Sequence, residues 1–475
     1  MISRSGVLAR CVLAVALLSN ASVSSSQTPS RQERLRRFEK EVDGFRSRLK
    51  IPALSVAVLE NQQVILIRGL GFADLENRVP ATPDTVYSIA SLTKTFAATL
   101  IMQLVEQGKL DLDEPVSHYS IDFPDDTARI KHLLSHTSAG TPGEHFQYDG
   151  NRFDYLTAVI EKKTGRPFLN VLVGAILDPL AMSSSVPYHN VVVDADKWVG
   201  SLGSRELDRY KTILLRLAQP YAYYGAGETV HTTYPSRDYV GAAAGILSTV
   251  RDLAKYDIAI DRHVLLKKET QERAWTPFVS HSGERLPYGL GWFVTHVHGH
   301  KLVWHYGQWG SGFSAVYVKV PERNVSVILL ANSEALADLD YEQITNNAFV
   351  CSFLGLWGYA YDCGPKAELA LTKWIEDRRA KGKVEVRVDK RTLEGYAGDY
   401  QFEKLDNRIY TVWQENGKLF FKSTGGSAQQ LFAESETTFF LKDRRYVFVF
   451  TADEGQPSQM KIVEGDRTYL SKRIK

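Results

Sequence analysis

The chain has 475 residues, of which 44% are apolar, and its 57 Lys and Arg nearly balance its 55 Asp and Glu. This composition is typical of a folded protein and excludes a disordered chain, and the length favours two or more domains. Because the formal net charge is only +2, we expect no partner such as nucleic acid or an anionic membrane to be attracted by net charge.

The start of the chain has the pattern of a signal peptide. Two arginines precede an apolar run from Cys11 to Leu18, and small polar residues follow it. This run is far shorter than the roughly 20 residues that span a bilayer, so a membrane anchor is the weaker alternative. We predict an exported protein, periplasmic or secreted, with no integral membrane segment once residues 1–26 are removed. The remaining Cys351 and Cys363 either close a disulfide or stay as two buried thiols.

The N-terminal half predicts helices interspersed with strands. Charged residues 32–49 favour a helix, and residues 53–68 alternate in the manner of a hairpin. The most apolar helix is predicted from Ser91 to Gln107, where apolar side chains recur at every fourth position until Gly108. A further helix is predicted over residues 151–163. The breadth of the apolar surface in the helix that starts at Ser91 indicates that it is buried.

Strands dominate the second half of the chain. Apolar runs separated by turn residues predict an antiparallel meander, with strands over 290–297, 301–306, 313–320 and 325–331. Residues 365–392 are rich in charge and are interpreted as a linker. Residues 393–475 have only β patterns and predict a small all-β barrel or sandwich. Helices packed on one antiparallel sheet give an α/β (α+β) fold for the larger domain.

Three common motifs are absent from the sequence: the G-x-S-x-G nucleophile elbow, the phosphate-binding loop and the H-E-x-x-H zinc helix. This absence removes the commonest hydrolase and nucleotidase interpretations. What remains is a Ser followed three residues later by Lys, an arrangement in which an amine deprotonates the nucleophile. The pattern occurs three times, at Ser47/Lys50, Ser91/Lys94 and Ser458/Lys461.

Only the pair Ser91/Lys94 opens the most apolar helix, whereas the other two pairs have charged surroundings. A serine at a helix N-terminus lies where backbone N–H groups favour negative charge, and a lysine one turn later lies on the same face. Burial would disfavour the charged amine, and only a neutral amine accepts a proton. The alternative is an ordinary surface lysine, but the apolar helix argues against it.

Several segments taken together resemble the serine β-lactamase and penicillin-binding-protein-like hydrolases, in the branch with class C β-lactamases, family VIII carboxylesterases and D-aminopeptidases. The segments that carry the resemblance are residues 87–95, 106–116, 132–138, 178–182, 245–249 and 288–292. The resemblance covers about residues 35–360. It implies a β-lactamase-like hydrolase domain over 30–364, a linker over 365–392 and a lipocalin-like β domain over 393–475, without a cofactor or a metal.

The family also has a Tyr-x-Asn element, whose tyrosine shares proton transfer with the lysine. The literal copy at Tyr188 comes too late in the chain, after the landmark at 178–182. Tyr148 precedes the helix that ends near Gly165, as the family pattern requires, and is the candidate. A structural aromatic residue is the alternative. Gly150 stands where the family has Asn, and Asn151 is one step late, so the resemblance disfavours β-lactam hydrolysis.

The third element of the family is Lys-Thr-Gly or His-x-Gly on a strand beside the nucleophile. The copy at 163–165 ends a helix and the copy at 281–283 lies in a turn, whereas His305 and Gly307 follow a predicted strand. The resemblance therefore assigns His305 to the site, with a role in positioning Tyr148 or the substrate. It also assigns Gly307 and Gln308 to oxyanion and substrate binding, with the N–H groups of Ser91 and Gln308 forming the oxyanion hole.

Together these residues predict a serine hydrolase that cleaves an ester or amide of a small molecule or peptide through an acyl-Ser91 intermediate. A carboxylesterase or D-amino-acid peptidase is favoured, because a histidine is mostly neutral at pH 7 and binds a substrate carboxylate less well than lysine. The alternatives are a β-lactamase and a non-catalytic protein that binds cell-wall peptides. A metal trio at residues 296–300 is disfavoured, and His132 and His136 are interpreted as structural.

Overall fold

A computed structural model gives the structure of the chain. It describes residues 29–119, 123, 125–192, 203–224, 228–232, 241–309, 312–337, 343–358, 363–380, 385–402, 408–424, 428–441, 446–453, 456–464 and 467–474. The predicted signal peptide, residues 1–26, lies outside these residues. Within them, no helix has both the length and the apolar character needed to cross a membrane.

The helices follow the predicted pattern closely where apolar periodicity is strong. The α-helices in the described residues are α1 Arg31–Arg48, α2 Thr93–Glu106, α3 Ile130–Leu134, α4 Gly150–Asp154, α5 Leu156–Thr164, α6 Phe168–Leu172, α7 Ser204–Leu214, α8 Val250–Asp261, α9 Lys268–Ala274, α10 Ala348–Gly355, α11 Cys363–Ala380 and α12 Lys390–Gly395. The helix predicted from Ser91 begins with a 3₁₀ turn, Ala90–Leu92, before α2. The helix predicted over 151–163 is divided between α4 and α5.

The first eleven strands build the larger domain. They are β1 Ala53–Glu60, β2 Gln63–Asp74, β3 Val79–Pro80, β4 Tyr87–Ser88, β5 Tyr221–Tyr224, β6 Glu228–His231, β7 Leu247–Ser248, β8 Phe293–Val297, β9 His300–Trp309, β10 Phe313–Val320 and β11 Val325–Ala331. Seven of them form an antiparallel sheet in the order β3-β2-β1-β11-β10-β9-β8. The predicted hairpin and the predicted meander are both confirmed as parts of this sheet.

Helices cover both faces of the seven-stranded sheet, which explains why its central strands are apolar throughout. Every residue of β10 and β11 is buried. Along β11, Ile328 and Leu330 belong to a core cluster with α2, whereas Val327 and Leu329 belong to a second cluster with α1 and α10. Burial of one strand on two faces removes the alternation of polar and apolar residues. The sheet is thus the middle layer of three.

The segment interpreted as a linker, residues 365–392, starts within α11. Leu371 and Trp374 of this helix are buried in the same cluster as α1 and α10. The first part of the segment therefore packs on the larger domain as a helix. Cys351 in α10 is disulfide-bonded, so the alternative of a free thiol is wrong for this residue. The positions of the domain boundaries stay a prediction.

The C-terminal region is a second, all-β unit. Its strands are β12 Gly398–Phe402, β13 Arg408–Glu415, β14 Lys418–Ser423, β15 Gln429–Ala433, β16 Thr438–Phe440, β17 Tyr446–Asp453, β18 Gln456–Glu464, β19 Arg467–Leu470 and β20 Lys472–Arg473. They form one nine-stranded sheet, and β20 pairs with β12. Ser471 also bonds Met460 of β18, so the sheet is nearly closed into a barrel. This confirms the predicted barrel architecture.

Candidate active site

The predicted pair Ser91 and Lys94 is brought together at the start of α2. Lys94 Nζ lies 3.1 Å from Ser91 Oγ and 3.0 Å from the backbone oxygen of Ala243. Lys94 is only 1% exposed, whereas Ser91 is partly exposed. An accessible hydroxyl with a buried amine directly behind it is the geometry that a serine nucleophile and its base require.

The chain enters this site in an unusual backbone conformation. Ala90, immediately before Ser91, has φ +47°, a region that residues with a side chain seldom adopt. Strain of this kind persists where the surroundings hold it in place, and it is concentrated at functional sites. Here the contact with β9 holds it: a Cβ atom on Gly307 would lie 2.0 Å from the Ile89 oxygen and 3.2 Å from Ala90 Cβ. Only glycine at 307 permits this close approach, which puts the end of β9 against the turn that carries Ser91.

Tyr148 lies beside the pair, in the segment that leads into α4. Lys94 Nζ is 5.1 Å from the centroid of the Tyr148 ring. Asp149 caps α4, because its carboxylate accepts from the N–H groups of Asn151 and Arg152. Tyr148 is partly exposed, like Ser91, but its hydroxyl oxygen is buried.

Gly150, the first residue of α4, also lies at the site. A Cβ atom at this position would be 3.7 Å from Lys94 Nζ, which is an ordinary contact distance. A side chain at 150 would therefore stand directly beside the amine. Asn151, one step later on α4, is exposed. Position 150 thus has no side chain beside Lys94.

His305 lies under the site, fully buried, and uses both ring nitrogens within the protein. Its Nδ1 is 2.6 Å from the Tyr306 oxygen, and its Nε2 is 2.8 Å from the Tyr288 hydroxyl. Since a carbonyl oxygen can only accept, Nδ1 donates and Nε2 accepts from Tyr288. The rings of His305 and Tyr148 have centroids 6.2 Å apart. His305 therefore meets Tyr148 through ring packing in this structure, and its hydrogen bond goes to Tyr288.

Two residues of this site were not assigned to it from the sequence. His136 packs its ring 4.3 Å from that of Tyr148 and 5.0 Å from that of Tyr288. In the sequence, Tyr288 stands only within a resembling segment, and the spacing of His136 from His132 predicts a structural role. The available signal was the position of His136 inside the segment 132–138, but the segment alone does not reveal which residue its side chain contacts.

The histidines of the site are held neutral. Burial, followed by the proximity of Lys94, lowers the pKa of His305 to about 3. Burial and then the nearby Lys94 and His305 hold the pKa of His136 well below its usual value. Burial also raises the pKa of Tyr288 well above its usual value. Near neutral pH, the site thus contains uncharged imidazoles and an uncharged Tyr288 around the amine.

The alternative motif copies lie elsewhere in the described part of the chain. Tyr188 is buried in the core cluster of α2, and the copy at 163–165 forms the end of α5. His281 is mostly exposed and pairs with Glu144 at 3.1 Å. Among the described residues, no group of three or more His, Cys, Asp or Glu is arranged to hold a metal ion.

A helix-borne serine and lysine, set against an antiparallel sheet between helical layers, define the class of β-lactamase-fold hydrolases. A family model described as Beta-lactamase matches residues 38–351, which is more than half of the chain. The chain therefore belongs to the Beta-lactamase family.

Individual relatives agree with this assignment. The chain is 24% identical over 437 residues to Penicillin-binding protein 4* of Bacillus subtilis (strain 168), covering 84% of this chain and 90% of the relative. The octameric penicillin-binding protein homologue of Pyrococcus abyssi superposes with a TM-score of 0.54 at 22% identity, covering 92% of this chain and 100% of that one. D-amino acid amidase of Ochrobactrum anthropi SV3 gives a TM-score of 0.50 at 20% identity over 62% and 91% of the chains. At these identities, the two structures show a shared fold.

Proposed function

We propose that this chain is a serine hydrolase that cleaves an ester or an amide through an acyl-Ser91 intermediate. The observation that carries the proposal is the 3.1 Å distance between Lys94 Nζ and Ser91 Oγ at a lysine that is 1% exposed. A lysine side chain is costly to bury in an apolar helix. The contact of Lys94 with the hydroxyl of Ser91 in the 3₁₀ turn accounts for this costly burial.

In the proposed reaction, Ser91 Oγ attacks the substrate carbonyl carbon while its proton passes to Lys94 Nζ. The tetrahedral oxyanion is stabilised by the backbone N–H groups of Ser91 and Gln308, and Gly307 permits the approach of β9 that brings Gln308 near. Lys94 and Tyr148 deliver the proton to the leaving alcohol or amine as its bond to carbon breaks. A water molecule then attacks the acyl-enzyme, and the acid and free Ser91 are released.

We infer that the chain acts on an ester or a D-amino-acid peptide, as a carboxylesterase or a D-amino-acid peptidase does, in preference to a β-lactam. Gly150 supplies no amide to hold the substrate's own amide. His305 is buried, neutral near pH 7 and bonded to Tyr288, so it offers no positive charge to a substrate carboxylate. One relative is named a penicillin-binding protein, so a β-lactam is the alternative that the penicillin probe tests.

The test uses two fluorescent probes, a fluorophosphonate and a penicillin, with the purified chain. We expect the fluorophosphonate to label the wild type and not Ser91→Ala, with weak or no labelling by the penicillin. Ser47→Ala, which removes the hydroxyl of another Ser-x-x-Lys copy at the end of α1, is the matched control and should label normally. Labelling by neither probe would favour a non-catalytic binding protein, and strong labelling by penicillin would favour a β-lactamase or penicillin-binding protein.

We also propose that the protein is exported and acts in the periplasm or outside the cell. The support is the pattern of residues 1–26: two arginines, an apolar run and small polar residues. Expression of the full chain followed by N-terminal sequencing of the mature protein tests this. Cleavage near residue 26 is expected, and an intact N-terminus in the cytoplasmic fraction would contradict it.

A further inference from the structure

His136 contacts the Tyr148 segment on both sides of the tyrosine. Its backbone oxygen accepts from the N–H of Gln147 at 2.8 Å, and its side-chain Nδ1 accepts from the N–H of Asp149 at 3.1 Å. Its ring lies 4.3 Å from the Tyr148 ring, measured between centroids. One residue thus fixes the backbone before Tyr148, the backbone after it and the ring itself.

The backbone at His136 is bent to make these contacts. His136 follows the short helix α3 with φ +54°, in the left-handed region that a side-chain-bearing residue adopts at a cost. The bend allows the carbonyl and the imidazole of one residue to reach the same stretch of chain. A conformation of this kind, next to a candidate catalytic tyrosine, indicates a positioning function.

The hydrogen bond to Asp149 requires one form of the imidazole. Because Nδ1 accepts, the ring proton is on Nε2, and a protonated ring would lose the acceptor. The Nε2 atom is buried and has no hydrogen-bond partner among the described residues. An unsatisfied buried donor costs stability, so the Nε2–H group of His136 adds nothing to the fold.

We propose that His136 is a positioning residue that holds the Tyr148 ring beside Lys94 for proton transfer, an inference that rests on the proposed function. Lys94 Nζ lies 5.1 Å from the Tyr148 ring centroid and 3.1 Å from Ser91 Oγ. A shift of the ring by about 1 Å is enough to lower the rate about 100-fold, because proton transfer depends steeply on geometry.

Two variants separate the contacts of His136. His136→Phe keeps an aromatic ring and loses the acceptor for the Asp149 N–H, whereas His136→Asn keeps an acceptor and loses the ring. The matched control is His132→Phe. His132 is also buried, its Nδ1 accepts from the N–H of Arg129 at 3.2 Å, and its Nε2 has no hydrogen-bond partner in the described structure. Its ring packs on Phe278.

The readouts are kcat and KM for a p-nitrophenyl ester, together with the thermal midpoint. For His136→Phe we expect kcat to fall about 100-fold with KM changed less than about threefold. His136→Asn should lose less, about tenfold, because an acceptor for the Asp149 N–H remains. His132→Phe should lower the thermal midpoint to a similar degree and keep kcat within about threefold of the wild type.

A double variant tests whether His136 acts through the tyrosine. If it does, His136→Phe added to Tyr148→Phe causes no further loss of kcat. Independent, multiplicative losses would overturn the inference, as would normal kcat in folded His136→Asn or equal losses in His132→Phe. Should His136→Phe not fold, His136→Asn decides alone. Full activity in Ser91→Ala would instead refute the proposed function, so the two failures are distinguishable.

Discussion

Two lysines of the larger domain, Lys94 and Lys319, are each 1% exposed, and their surroundings differ. Lys319 Nζ lies 2.9 Å from an Asp257 carboxylate oxygen and 2.7 Å from one of Asp261. Burial opposes its charge, but the two carboxylates outweigh this effect and raise the pKa of Lys319. Lys94 Nζ instead contacts the Ser91 hydroxyl and a backbone oxygen, and it lies near two aromatic rings.

Burial alone does not make a lysine reactive. A buried lysine between carboxylates is held charged and cannot accept a proton, so it serves the stability of the fold. A buried lysine among hydroxyl, carbonyl and aromatic groups, beside an accessible serine, is suited to proton transfer.

The largest expected effects come from removing the amine of each buried lysine, because one removal should affect stability and the other activity. Lys319→Met leaves Asp257 and Asp261 buried without their cation, and we expect it to lower the unfolding free energy by about 3–5 kcal/mol. The protein that remains folded should keep the wild-type rate of labelling by a fluorophosphonate. Lys94→Met removes hydrogen bonds to neutral groups, and should cost about 1–3 kcal/mol while abolishing labelling. Denaturant unfolding and labelling kinetics measure both. Equal stability losses, or labelling of Lys94→Met, would contradict the comparison.

Acid should destabilise the Lys94 region through its neutral histidines. The pKa of His305 is lowered to about 3, so the unfolded chain binds a proton near pH 6.5 that the folded site excludes. The contribution of neutral, buried His305 to the free energy of unfolding is therefore complete above pH 6.5. It is lost as the pH falls below this value, by about 2 kcal/mol at pH 5. Urea unfolding at pH 7 and pH 5 measures this loss. The wild type and the control variant His118→Gln, which changes an exposed histidine, should both show the full loss. His305→Gln should show a smaller one. An identical pH dependence in all three would count against a buried neutral His305.

The next largest effect is expected from disturbing the close approach of β9 to the turn that carries Ser91. A Cβ atom on Gly307 would lie 2.0 Å from the Ile89 oxygen, so Gly307→Ala must push the strand away from the nucleophile. We expect a loss of about 1–3 kcal/mol in stability and a slower acylation by a fluorophosphonate. Gly44→Ala in α1, where a Cβ atom meets open space and the glycine, like Gly307, has no positive φ, is the control without crowding. If Gly307→Ala acylates at the wild-type rate, the close approach is not needed for the reaction.

The smallest expected effect comes from placing a carboxylate beside Lys94, so that its surroundings resemble those of Lys319. Gly150→Asp introduces a carboxylate beside Lys94 Nζ, because a Cβ there lies 3.7 Å from the amine without a clash. The opposite charge favours the protonated amine, so the rising limb of the pH–rate profile should move up by about one pH unit and activity at pH 7 should fall about tenfold. Gly150→Asn has nearly the same shape without the charge and should leave this limb in place. The same shift in both variants would indicate a steric cause.

Much of the fold was predictable because its signals are local. Strands β10 and β11 were predicted at their observed bounds, since each is a continuous apolar run between turn residues. The pairing of Ser91 with Lys94 was also accessible, because one helical turn relates them. The division of the predicted helix over 151–163 was not, since the break after Asp154 interrupts a region of uniform apolar periodicity.

The remainder of the site depends on contacts between distant parts of the chain. The spacing of His132 and His136 predicts one helix face, but α3 ends at Leu134 and the backbone turns at His136. A loop brings Tyr148 close to His136. Tyr288, another ring beside His136, lies outside the predicted strands. Such contacts have no periodicity in sequence, so the sequence predicts only a structural role for His136.

The central claim is that Lys94 deprotonates Ser91, and the acylation rate of Lys94→Arg tests it most directly. Arginine is always protonated and cannot act as a base in a protein. In stopped-flow measurements of p-nitrophenolate release, we predict acylation at least about 1,000-fold slower than the wild type. The control Lys50→Arg, in another Ser-x-x-Lys copy, should match the wild type. Acylation of folded Lys94→Arg within about threefold of the wild-type rate would contradict the account.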